Sequence, residues 1–412
     1  MQVIKQLKNI LRRVDSLADQ LIVSGGNFLT VAICAHGLPL SEQGKFTYVF
    51  ASYMALLLMN VAGIFQGAAV QAPTRHSSFQ ASLARLQILQ AALLSLFVSV
   101  AWLGGGNTFG WQPTLTEVML MFAFFVVQQL ADFDRRTAYI FSSAKRAVYS
   151  SAALYPIRIV GLLIIKPETV NQVLMVLILS ALVPAVPALL IGSRRNTVSA
   201  AFWASTIKEH LVYSRLFIAG APLGWLWSYI PIFLLGTMHG KEQAALLASI
   251  RGISNIANIL MEQIETKVVA DWARIRHGDG PRQLEAAVAR LFKIGIAFWL
   301  CGLLVTLAFG REIVTLVLGD LYSPHWHLLV IGWISYGIYF FVRVFGIKHR
   351  ALGVSQVEFM GGVCGVIAAL AAGYAMIPTL AAMGAAWVYV AIAVAMFLGQ
   401  QWTIKKIKKK WN

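Results

Sequence analysis

The sequence predicts an all-α polytopic membrane protein with about twelve transmembrane helices. Three observations carry that expectation: too little charge for a water-facing surface, apolar runs of spanning length, and an alternating placement of basic residues. The 412 residues are 58% hydrophobic and only 12% charged. Soluble domains run at about 45–50% apolar and about 25% charged. Half the usual charge density cannot cover a water-facing surface on a chain this long, which excludes a soluble globular enzyme. The same hydrophobicity excludes a disordered chain. A spanning helix takes roughly 20 apolar residues, so twelve use about 240 and leave about 170 for short loops and two tails.

The runs, bounded by breakers and charges, fall near 17–36, 46–68, 82–103, 115–133, 147–165, 171–192, 212–236, 243–267, 288–309, 326–346, 357–377 and 380–402. Barrel strands would be about 10 residues long and alternating, which these are not. Lys5, Lys8, Arg12 and Arg13 precede the first run as they would in a signal peptide. Asp15 and Asp19 interrupt that run and no cleavage site follows, so it reads as an uncleaved first span with a cytoplasmic basic flank.

Lysine and arginine gather in cytoplasmic loops. With both termini inside, 28 of the 34 basic residues fall in inner segments. Only Lys45, Lys166, Lys241 and Arg311 fall outside, and Arg158 and Arg251 fall within spans. One missed or extra helix would scramble this alternation. The net charge of +17 is therefore spread over inner loops, with a basic tail at Lys405, Lys406 and Lys408–Lys410. Beside a span, that tail is expected to bind anionic lipid headgroups rather than nucleic acid.

The two halves echo each other. Ser41-Glu42-Gln43-Gly44 follows the first span and Lys241-Glu242-Gln243-Ala244 follows the seventh, an offset of 200 residues. Each is preceded by a span expected to break, at Gly25-Gly26 in the first and at Pro222 and Pro231 in the seventh. Gly and Pro at matching places mark bent helices near a transport site. The expected organisation is a six-helix bundle over 1–192, a basic cytoplasmic linker over 193–211, a second six-helix bundle over 212–402 and the tail 403–412.

The stretch Asp19-Gln20-Leu21-Ile22-Val23-Ser24-Gly25-Gly26-Asn27-Phe28-Leu29-Thr30, with Glu42-Gln43-Gly44-Lys45-Phe46 after it, resembles the first-helix signature of polysaccharide flippases. These belong to the multidrug/oligosaccharidyl-lipid/polysaccharide exporter superfamily. The likeness covers about 30 residues; beyond it only length and topology match. It implies two six-helix bundles around a central cavity. It also implies movement of isoprenoid-pyrophosphate-linked oligosaccharide across the bacterial inner membrane by alternating access, driven by an ion gradient rather than by ATP. Such a protein is not an enzyme, needs no cofactor, works as a monomer and has polysaccharide assembly proteins as further partners.

Within that reading Arg251 is the sharpest signal. It lies about nine residues into the eighth span, roughly 13 Å deep at 1.5 Å per residue. An arginine there costs about 2.5 kcal/mol or more, so it should face a cavity or a partner. Arg251, Asn255, Asn258, Glu262 and Glu265 recur on one helical stripe. Arg251 would attract the pyrophosphate, Asn255 and Asn258 would bond sugar hydroxyls, and Glu262 and Glu265 would pair or carry protons; the bland alternative is a structural salt bridge. Arg158, after Pro156, is a second central cation, alternatively snorkelling to the outer face. Asn27 joins the substrate set. Asp19 and Asp132 are candidates for ion coupling or gating, Asp19 alternatively an interface acid paired with Arg12 or a basic loop. Gln128, Asp132, Arg135 and Tyr139 form a stripe expected to be mostly solvated or salt-bridged.

Three cysteines without common spacing and a lone His325-x-His327 give no disulfide framework or metal site. No phosphate-binding loop or nucleophile motif stands out. An ion-coupled drug or metabolite exporter of the same superfamily is the nearest alternative, expected to carry an acidic cavity for cationic drugs. A membrane polysaccharide polymerase or glycosyltransferase is a further one, disfavoured because every expected outer loop is short. A major-facilitator transporter would carry a Gly-Asp-Arg-type loop where this chain has Gln71-Ala72-Pro73-Thr74-Arg75-His76.

Overall fold

The computed structural model describes residues 2–66, 68, 77–193, 200–256, 261, 268, 271–272, 274–275, 280–352, 354 and 356–411. Among these, regular structure is entirely helical. The long helices are α1 (Gln2–Gly37), α2 (Leu40–Asn60), α3 (Ser77–Gly105), α4 (Leu115–Phe141), α5 (Ala144–Ile165), α6 (Val170–Ser193), α7 (Ala200–His239), α8 (Lys241–Ser254), α9 (Pro281–Leu318), α10 (His327–Ala351) and α11 (Gln356–Trp411). Of the eighth expected span, 243–267, the described helix runs to Ser254 and most of the remainder lies outside the described residues. Ten stretches among the described residues are long and apolar enough to cross a membrane. The last, Gln356–Ile407, has 52 residues and is long enough for two spans of about 20. It is divided by Ala381, whose φ of 48° and ψ of −128° break the helical path just after Pro378. Large apolar side chains such as Phe97, Ile164 and Leu316 stand exposed, as a lipid-facing surface requires.

Helix ends follow local chemistry. Thr114 and Glu117 close a reciprocal capping box at the start of α4. Ser143 accepts from the Arg146 N–H to start α5. Gly240, at φ 88°, supplies the left-handed turn between α7 and α8, a conformation disfavoured for side chains with a Cβ. Glu42 and Glu242, the matched pair of the two halves, both lie in the first turn of a helix, where a carboxylate complements the helix dipole.

The chain forms two compact units, Met1–Trp225 and Leu226–Asn412. The division falls inside α7, beyond the segment 193–211. α7 starts at Ala200, earlier than expected, and its first part belongs with the first unit: His210 Nε2 meets the Gly63 carbonyl at 2.9 Å. Gly63 lies in a π-turn, Val61–Phe65, that ends α2. In the first unit α4 packs along α6 and α1 along α5; in the second α10 packs against α9, α8 and α11.

Helical structure continues through the four positions expected to break. α1 runs unbroken through Gly25 and Gly26, and α7 runs through Pro222 and Pro231. Gly26 admits a close neighbour: a Cβ there would collide with the Tyr155 ring. At the prolines the helix loses one backbone bond each, to the carbonyls of Ile218 and Trp227, and helical structure continues past both. Helical geometry is lost instead at Phe309 within α9 and at Ala381.

Candidate functional site

Two buried or half-buried arginines organise the polar interior, one in each unit. In the first unit, α4 presents Gln128, Asp132, Arg135 and Tyr139 along one face, and α1 and α5 close over them. Asp19, 1% exposed, accepts from Arg135 Nη1 at 3.0 Å, from Tyr139 Oη at 2.7 Å and from Ser151 Oγ. Asp132 accepts from Arg135 Nη2 at 3.0 Å and from Arg136 Nε at 2.6 Å. Asp134 takes Arg146 at 2.9 Å. Each of these acids is matched by at least one arginine, so the α4 stripe is ion-paired rather than solvated. The described cation paired with Asp19 is Arg135, within α4.

Arg158 stands apart from this balanced set. It is 3% exposed, so it does not snorkel. Its Nη2 donates to Gln128 Oε1 at 3.0 Å, and its Nε reaches Ser180 Oγ at 3.5 Å. Gln128 and Ser180 both donate onward to the Leu177 carbonyl at 3.0 Å. The guanidinium carbon lies 5.0 Å from the centre of the Tyr155 ring, and Tyr155 Oη donates to Asn27 Oδ1 at 3.3 Å. Among the described residues no carboxylate pairs with Arg158. It is held by neutral groups of α4, α5 and α6, and through Tyr155 it is linked to Asn27 and Gly26 on α1.

In the second unit Arg251 sits ten residues into α8, about 15 Å along it. It is half-buried. Its guanidinium carbon lies 4.1 Å from the centre of the Tyr389 ring and 5.9 Å from that of Tyr336. Tyr389 Oη donates to the Ser228 carbonyl at 2.8 Å, and Tyr336 Oη donates to Asn255 Oδ1 at 2.9 Å. Arg251, Trp227, Ser335, Tyr336, Tyr339 and Tyr389 line a cavity of about 20 Å3, room for about one water molecule. Trp227 and Tyr339 pack with ring centres 5.2 Å apart. No described carboxylate pairs with Arg251. Asn255, its neighbour on the stripe, lies one turn on and caps α8. Asn258, Glu262 and Glu265 lie outside the described residues.

The four aromatic residues around Arg251 escaped the sequence reading. Tyr336 and Tyr339 do share a helix face at a spacing of three, but aromatic pairs at that spacing are ordinary packing in apolar helices. The two histidines, His325 and His327, have ring centres 6.3 Å apart at the start of α10. At the tail, Lys406 lies 4.0 Å over the Trp402 ring, while the side chains of Lys408–Lys410 lie outside the described residues.

An inward-facing multidrug resistance MATE family transporter of the MOP superfamily superposes with a TM-score of 0.70 at 13% identity, covering 95% of each chain. The lipid II flippase MurJ in an inward closed conformation gives 0.70 at 11% identity, covering 97% of this chain and 87% of the other. A point mutant of the Vibrio cholerae MATE transporter VcmN gives 0.65 at 14%, covering 96% of each. The chain shares the fold of these structures. No protein-family profile matches the sequence, and no curated protein sequence is significantly similar. The expected fold class therefore holds, while the polysaccharide-flippase resemblance rests on its own residues.

Proposed function

We propose that the protein is a flippase that moves isoprenoid-pyrophosphate-linked oligosaccharide across the bacterial inner membrane by alternating access, coupled to an ion gradient. The observation that carries this reading is Arg251. It is a cation deep in an apolar chain, lining a cavity, with every bonding edge unused among the described residues. Burying such a charge is costly unless something anionic repays it. A phosphate-bearing headgroup does so, and a guanidinium fork matches phosphate geometry. Arg158 adds a second positive centre of the same sign. Asn255 and Asn27 lie beside these cations as the hydrogen-bonding members of the substrate set. Asp19 and Asp132, held by arginines, are the described groups best placed for ion coupling. The basic loops and tail favour cytoplasmic termini and contact with anionic lipids. No covalent chemistry is assigned to the protein.

The fold gives one specific reason to keep the exporter reading, since the MATE transporter and the flippase superpose equally well. A cavity centred on arginine disfavours cationic drugs and leaves anionic metabolites as that reading's cargo. Deleting the gene and extracting the membrane lipids separates the two. Accumulation of an isoprenoid-pyrophosphate oligosaccharide on the cytoplasmic leaflet is the expected result. An unchanged lipid pool together with lost export of an anionic metabolite supports the exporter.

A further inference from the structure

The cage around Arg251 suggests how that cation is kept ready, an inference that rests on the anion-binding role proposed above. A guanidinium has five N–H donors lying in its plane and none on its face. Stacking against a ring engages the face and leaves the donors free. Arg251 lies over both rings, its guanidinium carbon 4.1 Å from the centre of Tyr389 and 5.9 Å from that of Tyr336, and none of its donors has a hydrogen-bond partner among the described residues.

The rings are themselves tied down. Tyr389, on α11, is fixed through its hydroxyl to the Ser228 backbone on α7. Tyr336, on α10, is fixed through its hydroxyl to Asn255 on α8. Each hydroxyl proton is used in holding its ring. The cavity beside them admits one oxygen-sized group. A carboxylate partner would have fixed Arg251 as firmly but would also have consumed its donors and cancelled its charge. Two tethered tyrosines fix it and do neither.

We propose that Tyr389 and Tyr336 are positioning residues: their tethered rings orient the Arg251 guanidinium so that its N–H edge meets a phosphoryl oxygen of the incoming ligand. The ring face does the work at Tyr389, and the hydroxyl serves the ring.

The test uses the full-length protein purified in detergent, titrated with inorganic pyrophosphate and, separately, with geranyl pyrophosphate, with binding followed by calorimetry. The two probes distinguish a free anion from a lipid headgroup. Tyr389→Leu is expected to weaken pyrophosphate binding roughly tenfold, the scale of a lost cation–π contact at a partly desolvated site. Tyr389→Phe and Tyr389→Trp keep a ring face and are expected to stay within about threefold of wild type, and Arg251→Gln to abolish binding. Tyr336→Phe, which frees the ring from Asn255 without removing it, is expected to give a smaller loss than Tyr336→Leu. Should Tyr389→Leu fail to fold, the Tyr336 pair carries the same comparison. Wild-type or tighter binding by both leucine variants overturns the proposal, as does wild-type protein that binds neither probe. The expected pattern in protein whose deletion leaves the lipid-linked pool unchanged removes the flippase substrate and keeps the tyrosine platform.

Discussion

Arg158 donates to Gln128 Oε1 at 3.0 Å inside the first unit, and both side chains are almost fully enclosed. A charged group is thus held in a membrane helix by a neutral amide, with no described acid nearby. Neutral partners satisfy donors but do not offset the cost of taking a charge out of water. Such an arrangement persists when the charge is needed.

Replacing Arg158 by Met tests that statement by sign. The substitution removes a desolvated charge while leaving Gln128 Oε1 without its donor, a loss of about 1–3 kcal/mol. The two effects offset, so thermal stability in detergent should stay within a few degrees of wild type, or rise. Transport should fall. A large drop in the melting temperature would make Arg158 a structural staple instead.

Asp19 behaves differently, because it is matched to a cation. Asp19→Ala should destabilise the protein by about 3 kcal/mol, since it leaves Arg135 with one acid in place of two. The double variant Asp19→Ala/Arg135→Ala should lose less than the sum of the two single changes. Chemical unfolding of the four proteins measures that coupling, and strict additivity would contradict the pairing.

Much of this was legible in the sequence, for physical reasons. The spans show because lipid demands long apolar runs, and the division of α11 shows because Pro378 interrupts one. That Arg158 and Arg251 lie on helices follows from the apolar runs around them. The partners were not legible. Asp19 meets Arg135 across 116 residues, and nothing local in the first helix selects Arg135 over Arg12. Gly25, Gly26, Pro222 and Pro231 mark positions where a helix is weakened, but that Gly26 makes room for Tyr155 is visible only in the packing of α5 on α1. The tyrosine cage draws on α8, α10 and α11, so no single stretch announces it.

A seam in the second unit gives a stability prediction. Trp299 Nε1 donates to the Trp333 carbonyl at 3.1 Å and Trp333 Nε1 to the Trp299 carbonyl at 2.9 Å. Each indole lies over a glycine on the facing helix, Trp299 over Gly337 and Trp333 over Gly302. A side chain at position 302 would occupy the indole's space. Gly302→Val should destabilise by about 1–3 kcal/mol or more through overpacking. Thermal unfolding reads this directly, and an unchanged melting temperature would contradict the interlock.

His210 gives a pH dependence. It lies outside the apolar spanning stretch of α7, and burial lowers its pKa below the usual histidine value. The folded protein therefore holds it neutral. Above the unfolded value of about 6.5 neither state is protonated and its docking against Gly63 is at full strength. As pH falls through that value toward the lower folded pKa, the unfolded state takes up the proton first and stability declines. Between pH 7.5 and 5.5 the wild-type melting temperature should drop more than that of His210→Gln. Parallel curves would remove His210 from the acid response.

The most direct measurement concerns Arg251 in living membranes. Cells lacking the gene are complemented with wild type, Arg251→Lys or Arg251→Gln at matched membrane levels, and their isoprenoid-linked lipids are quantified. Arg251→Gln should leave the intermediate accumulated as in the deletion, and Arg251→Lys, which keeps charge but loses the fork, should clear it only partly. Full clearance by Arg251→Gln would show that no anion is drawn to this arginine, and the account would fail.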